Sequence, residues 1–194
     1  HGVVLAQNNT VRGLTVGNTQ GAGISGNGLG TASIDNVDIN GTGQILNLQN
    51  GIVSASFGSL STSSASNVAL RLASLAGSSI SIASLAITTA NGAGIYMSNA
   101  GNVSLNGTAN TISVTGGPAM DVMTTTLGSG WTFASLSSTN SAGYGLNLEN
   151  VSGTATGNGG TISGATGAAV RVSGGSSSVS YAGIIQNSAG YAVD

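Results

Sequence analysis

Aliphatic residues recur along the chain as pairs separated by one residue: Leu46-x-Leu48, Leu70-x-Leu72, Ile95-x-Met97, Met120-x-Val122, Leu146-x-Leu148 and Val170-x-Val172. Ile24 stands ahead of this series with Gly26 in its second position, and Val193 follows it. From Ile24 onward the gaps between first members are 22, 24, 25, 25, 26, 24 and 23 residues. Alternation with period two marks a strand with one buried face. A strand that returns every two dozen residues marks a repeat.

Further alternations recur inside each period. One set contains Ile80-x-Ile82, Val103-x-Leu105, Trp131-x-Phe133 and Val179-x-Tyr181; another contains Leu85-x-Ile87, Ile112-x-Val114 and the pair Ile184-Ile185. Three short strands per period, joined at Gly, Asn and Ser corners, describe one triangular coil. Stacked coils bury the aliphatic positions in columns and pair each strand with its copies above and below. The predicted fold is therefore all-β, a parallel β-helix of about eight coils of 22–26 residues, forming a single unit over residues 1–194. Trp131 and Phe133 are expected to fill the core of one wide coil.

Two residues beyond each second aliphatic lie Asn50, Ser74, Asn99, Thr124 and Asn150. Stacked copies would either form a polar ladder that satisfies backbone groups of neighbouring coils, or serve as ordinary corner residues.

Composition narrows the classes of function. Only 4% of the residues are charged, and lysine and cysteine are absent; soluble domains average about 25% charged residues. A net charge of −2 offers no phosphate-binding surface, so nucleic acid is not an expected partner. Without cysteine there is neither a disulfide nor a thiolate metal site. No apolar run is long enough for a transmembrane helix, and no cofactor motif is present. Disorder, which a Gly/Ser-rich composition alone suggests, is opposed by the regular spacing of Val, Leu and Ile.

The stretches HGVVLAQNNTVRGLTVGNTQGAGISGNG, SIDNVDINGTG and GGTISGATGAAVRVSGG resemble the repeats of the pectate-lyase-like superfamily. They resemble still more the Gly/Asn/Thr-rich "β-strand repeat" modules of very large bacterial secreted and surface proteins. The resemblance covers nearly the whole chain. It implies a right-handed coil, an extracellular or bacterial cell-surface location, and an adhesin-like or scaffolding role.

Between the two inward aliphatics of the first strand lie, coil by coil, Asn47, Arg71, Tyr96, Asp121, Asn147 and Arg171. Neighbouring coils are about 4.8 Å apart, which sets Asp121 beside Tyr96 and Asn147 and about two coils from each arginine. The resemblance implies that a polysaccharide groove would follow this first sheet. A sugar chain lying along the stripe would rest rings on Tyr96 and bond hydroxyls to Asn47, Asn147, Arg71 and Asp121. The competing account is a solvated strand face that simply carries polar residues.

Catalytic sets are poor. Glycoside hydrolysis needs two carboxylates about 5–10 Å apart; Asp121 and Glu149 are one coil apart, but Glu149 sits at a strand end with no counterpart on other coils. A lyase would need clustered acids for calcium and a nearby base, and the sequence offers Asp121 with distant arginines. His1 stands at the start of the chain, and no Ser/His/Asp set can be assembled. Asp35-x-x-Asp38-x-Asn40-Gly41 places oxygen ligands beside a glycine, without EF-hand or nonapeptide spacing, so corner polarity is the expected account and calcium the lesser one. GAGISGNG at 21–28 precedes no helix, which removes a dinucleotide reading. Thr124-Thr125-Thr126 and Thr154-x-Thr156 do not recur on every coil, as an ice-binding array would require.

The chain starts in mid-pattern at Val3-Val4-Leu5 and stops in mid-strand at Tyr191-Ala192-Val193-Asp194. Uncapped coils favour pairing with further repeats or with another copy end to end, and a segment of a longer solenoid is expected. The leading functional reading is a non-catalytic stalk, scaffold or filament segment. A polysaccharide-binding module on the first sheet is the alternative, and a polysaccharide-cleaving enzyme ranks third.

Overall fold

The computed structural model describes residues 1–186 and 190–194. Among the described residues there are seventeen strands and no helix, and all the strands join one parallel sheet wound into a β-solenoid of about eight turns. At about 4.8 Å per turn the column is roughly 38 Å long. Among the described residues no helix is long and apolar enough to cross a membrane.

The first wall follows the aliphatic series. Val3 pairs with Ile24, and the register continues through Leu46, Leu70, Ile95, Met120, Leu146 and Val170, with an isolated bridge to Val193. Leu48, Leu72, Met97, Val122 and Leu148 form the second column and are fully buried. Gly26, which has no side chain to offer that column, leaves room for Leu29 Cδ2, which occupies the space a Cβ would take.

The wall ends at a left-handed corner. Gly28, Asn50, Ser74, Asn99, Thr124, Asn150 and Gly174 follow one another up the stack with φ between +48° and +72°. Glycine and asparagine accept this region at low cost. The corner does not interrupt the ladder: Ser74 N donates to Ser98 O (2.9 Å), Asn99 N to Met123 O (3.0 Å) and Thr124 N to Glu149 O (2.9 Å). Strands therefore run on around corners in several turns, as in Ile24–Gly41 and Leu46–Ala65. The side chains of Asn50, Ser74, Asn99, Thr124 and Asn150 face solvent. Of the two expectations for this column, corner residues is the one realised; Asn50 Nδ2 donates to the side chain of Asn27 in the preceding turn (Oδ1, 2.7 Å) and not to a backbone group.

Buried polar groups hold the turns together elsewhere. The hydroxyls of Thr62, Thr89 and Ser138 donate to Gly43 O (2.7 Å), Asn67 O (3.3 Å) and Gly117 O (2.8 Å) of the preceding turn. Each of these carbonyls lies three residues before the first-wall strand. Asn110 ties three turns: its Oδ1 accepts from Leu85 N (2.9 Å) and its Nδ2 donates to Thr132 O (2.8 Å) and to Gly107 O.

Two registers differ from those the alternations suggest. Ile87 stacks on Ile112, so the column of Leu85 continues at Asn110, and the third-wall pattern is offset by two residues. Val103 stacks on Leu127, while Phe133 stacks between Asn110 and Gly157. Trp131-x-Phe133 thus lies beyond the column of Val103-x-Leu105. The turn from Met120 to Leu146 is the longest, and the extra chain carries both rings inward. Trp131 is buried and its Nε1 donates to Val103 O (2.7 Å); its ring is tilted against Phe133 at 6.1 Å. Tyr181 stacks on Gly157, whose missing side chain admits the phenol ring; a Cβ there would lie 2.6 Å from Tyr181 Cδ2. Through that gap Tyr181 donates its hydroxyl to Leu136 O (2.9 Å), two turns away. Burial pushes the Tyr181 phenol above its ordinary value.

Candidate binding groove

The outward positions of the first wall are set by the same register that buries its aliphatics. Asn47, Arg71, Tyr96, Asp121, Asn147 and Arg171 are successive neighbours, so all six residues of the expected stripe come together in the expected order. Tyr96 separates Asp121 from Arg71, and Asn147 separates Asp121 from Arg171.

The upper half of the stripe is a closed network. Asn147, almost fully buried, donates its Nδ2 to Asp121 Oδ1 (2.9 Å). Arg171 Nη1 donates to Asn147 Oδ1 (3.1 Å) and to Glu149 Oε2 (2.8 Å), and Asp194 Oδ2 lies 4.0 Å from its Nε. The hydrogen bond to Glu149 raises the Arg171 guanidinium above its ordinary value, with burial opposing and Tyr144 and Asp194 adding to the rise. The guanidinium also stands 5.2 Å over the centroid of the Tyr144 ring. Glu149 is thus a partner of Arg171, and the Asp121 carboxylate is engaged by an amide.

The lower half is open. Gln49 Nε2 donates to Asn47 Oδ1 (2.8 Å). Arg71 stacks 5.2 Å over the Tyr96 ring. Its Nε is shielded from solvent and has no hydrogen-bond partner. The Tyr96 face that the sequence offered to a sugar ring is covered in part by this guanidinium.

Grooves follow the edge where the chain enters the first wall. One, of about 320 Å³, is lined by Pro118, Asp121, Met123, Tyr144 and Asn147 among others. Another, of about 350 Å³, is lined by Gln44, Asn47, Asn67, Val68, Arg71, Asn91 and Gly92. Sequence reasoning passed over Tyr144, Pro118 and Gln49. Tyr144 and Pro118 each lie two residues before a wall strand, where period-two alternation carries no signal; the signal for Gln49 is its place opposite Glu149 in the matching segments LNLQN and LNLEN.

The remaining candidates serve local structure. Asp35 Oδ1 accepts from Ser56 Oγ (2.7 Å), and Asp38 Oδ1 accepts from Ser59 N (2.6 Å), so both carboxylates bond to the strand Leu46–Ala65 of the next turn. His1 Nδ1 lies 3.4 Å from Ser25 Oγ. Among the described residues no three His, Cys, Asp or Glu side chains converge as a metal site. Comparison with protein-family models, curated proteins and solved structures gave no match to this chain.

Proposed function

We propose that this chain is a structural module, a stiff stalk, surface scaffold or filament segment, in an extracellular or bacterial cell-surface protein. The observation that carries the reading is the unbroken register of the first wall from Val3 to Val193. Each turn is joined to the next by backbone hydrogen bonds and by shared aliphatic columns, so load along the axis passes through every interface in turn and is shared there among its parallel hydrogen bonds and packed side chains. Scarcity of charge agrees with a surface that packs against adjoining repeats or other copies of itself. The extracellular setting rests on the resemblance to pectate-lyase-like coils and bacterial surface repeats.

The test is mechanical. The chain is placed in series with a small helical domain and pulled from its ends. The solenoid should stay folded at forces that have already opened the helical domain. It should then lengthen by about 70–90 Å for each turn released, since an extended residue spans about 3.3–3.6 Å. Opening before the helical reference would overturn the reading.

A second reading, polysaccharide binding on the first wall, is favoured by the groove in which apolar Pro118, Met123 and Tyr144 face the polar Asp121 and Asn147. Sugars present the same mixture of apolar faces and hydroxyl edges.

A further inference from the structure

Two segments of the chain, one hundred residues apart, repeat one design. Leu46-Asn47-Leu48-Gln49-Asn50 is followed one turn later by Leu70-Arg71-Leu72, and Leu146-Asn147-Leu148-Glu149-Asn150 by Val170-Arg171-Val172. In both, the arginine stands directly above the asparagine of the layer below. In both, it lies 5.2 Å over a tyrosine ring. The two differ in charge at two positions beside the arginine: Glu149 in the upper copy is Gln49 in the lower, and Asp194, one layer above Arg171, is replaced above Arg71 by Tyr96.

The consequence is visible in the bonding. Arg171 donates to the Glu149 carboxylate and to Asn147 Oδ1. In the lower copy Gln49 Nε2 takes the acceptor on Asn47 that Arg171 uses on Asn147. Arg71 is left with no carboxylate, and its Nε is closed off from water without an acceptor. The groove beside it is lined by the amides of Gln44, Asn47, Asn67 and Asn91 and by no acidic side chain. The Gln44 amide donates to Val68 O (2.8 Å), fixing that edge of the groove.

We infer that the Arg71 groove is an oxyanion site. It takes a carboxylate or sulfate group in the role that Glu149 fills for Arg171. Guanidinium donors bind such groups through charge-assisted hydrogen bonds, and side-chain amides around Arg71 add neutral donors without a competing negative charge. The anion comes from a ligand lying against the first wall or from solution, and the site operates whether or not the chain bears load.

The test follows the side-chain NMR resonances of Arg71 in the full chain as sodium sulfate or sodium acetate is added at constant ionic strength, with chloride as the balancing salt. A saturable shift of the Arg71 signals is expected. Preference for sulfate or for acetate identifies which oxyanion the groove fits. Gln49→Glu should weaken the response at least tenfold, and its anion-free spectrum should resemble that of the saturated parent. In Arg71→Gln the side-chain amide signals of Gln44, Asn47 and Asn91, which line the groove, should show no saturable shift with either anion, with an unchanged circular dichroism spectrum showing that the fold persists. A linear, unsaturable shift, or equal binding by the parent and Gln49→Glu, would overturn the assignment.

Discussion

Thr124 is the one β-branched residue in the first left-handed corner column, where its layer neighbours are Asn99 and Asn150. Its φ is +48°, against +52° and +53° for those asparagines. Its side chain is exposed, and its N–H donates to Glu149 O as Asn99 N does to Met123 O. Replacing Thr124 therefore changes the intrinsic cost of the conformation and little else. That cost is roughly 1–2 kcal/mol for an ordinary L-residue, and is relieved in asparagine, whose amide bonds locally. Thr124→Asn should stabilise the protein by about 1 kcal/mol. Thr124→Gly should gain less, since glycine returns about 0.5–1 kcal/mol through the entropy of the unfolded chain. The reverse change, Asn99→Thr, should lose about what Thr124→Asn gains. Equilibrium unfolding in urea reads the effect. With a slope of about 2–3 kcal/mol per molar, the midpoint of Thr124→Asn should rise by roughly 0.3–0.5 M. An unchanged or lower midpoint at constant slope would refute the claim that corner conformation, and not the contacts of the corner side chains, governs residue choice in this column.

The remaining predictions concern the upper turns and the groove. Tyr181→Phe removes the hydroxyl that reaches Leu136 O and should cost about 1 kcal/mol at neutral pH in urea unfolding. Burial raises the Tyr181 phenol, so its contribution is fully present below the unfolded value of about 10 and is lost as the pH climbs through the folded value; the stability of the parent should fall above pH 10 more steeply than that of Tyr181→Phe, and parallel pH profiles would refute this. For the polysaccharide reading, Asp121→Ala combined with Tyr144→Ala should abolish retardation in affinity gels containing the ligand glycan while leaving the circular dichroism spectrum that of the parent; equal retardation would exclude that groove.

How much of this was legible in the chain depends on which side chains face the core. The first wall could be read to the residue because both inward positions of nearly every strand are large aliphatics, and the outward stripe then follows from the pleat. The other walls were read with shifted registers because their columns are chemically mixed. Asn110 occupies a core position on the strength of three hydrogen bonds, and alternation counts it as exposed. Leu127, standing alone, takes the place beside Val103 that Trp131 was expected to fill. The positive φ of the first corner column was foreshadowed by its Asn and Ser content, but the continuity of strands through it was not, since that depends on carbonyls of the next turn. At the candidate site, sequence aligned the six stripe residues and could not assign their partners. Those partners reach the stripe from the preceding corner, as Tyr144 does, or from the next outward column, diagonally for Glu149 and along its own strand for Gln49.

In a chain with so few charges, the surroundings of each can be followed, and this separates the rod from the site. Asp35 and Asp38 bond to the next turn, Asp121 is held by Asn147, and Glu149 and Asp194 face Arg171. These carboxylates act within or between adjacent layers and belong to the architecture. Arg12 is exposed, and its register neighbour in the next layer is Asp35. Arg71 alone among the arginines is half-buried without an anionic partner, although the same framework supplies one a hundred residues later. A carboxylate at position 49 would complete the pair with no change in backbone, which makes the glutamine there a vacancy of charge and not a requirement of the coil. The two properties should then respond independently: Gln49→Glu should silence the groove without altering the mechanical response, and Thr124→Asn should strengthen the column without altering anion binding. Coupling between them, with either substitution moving both readouts, would mean that the Arg71 groove is part of what holds the turns together.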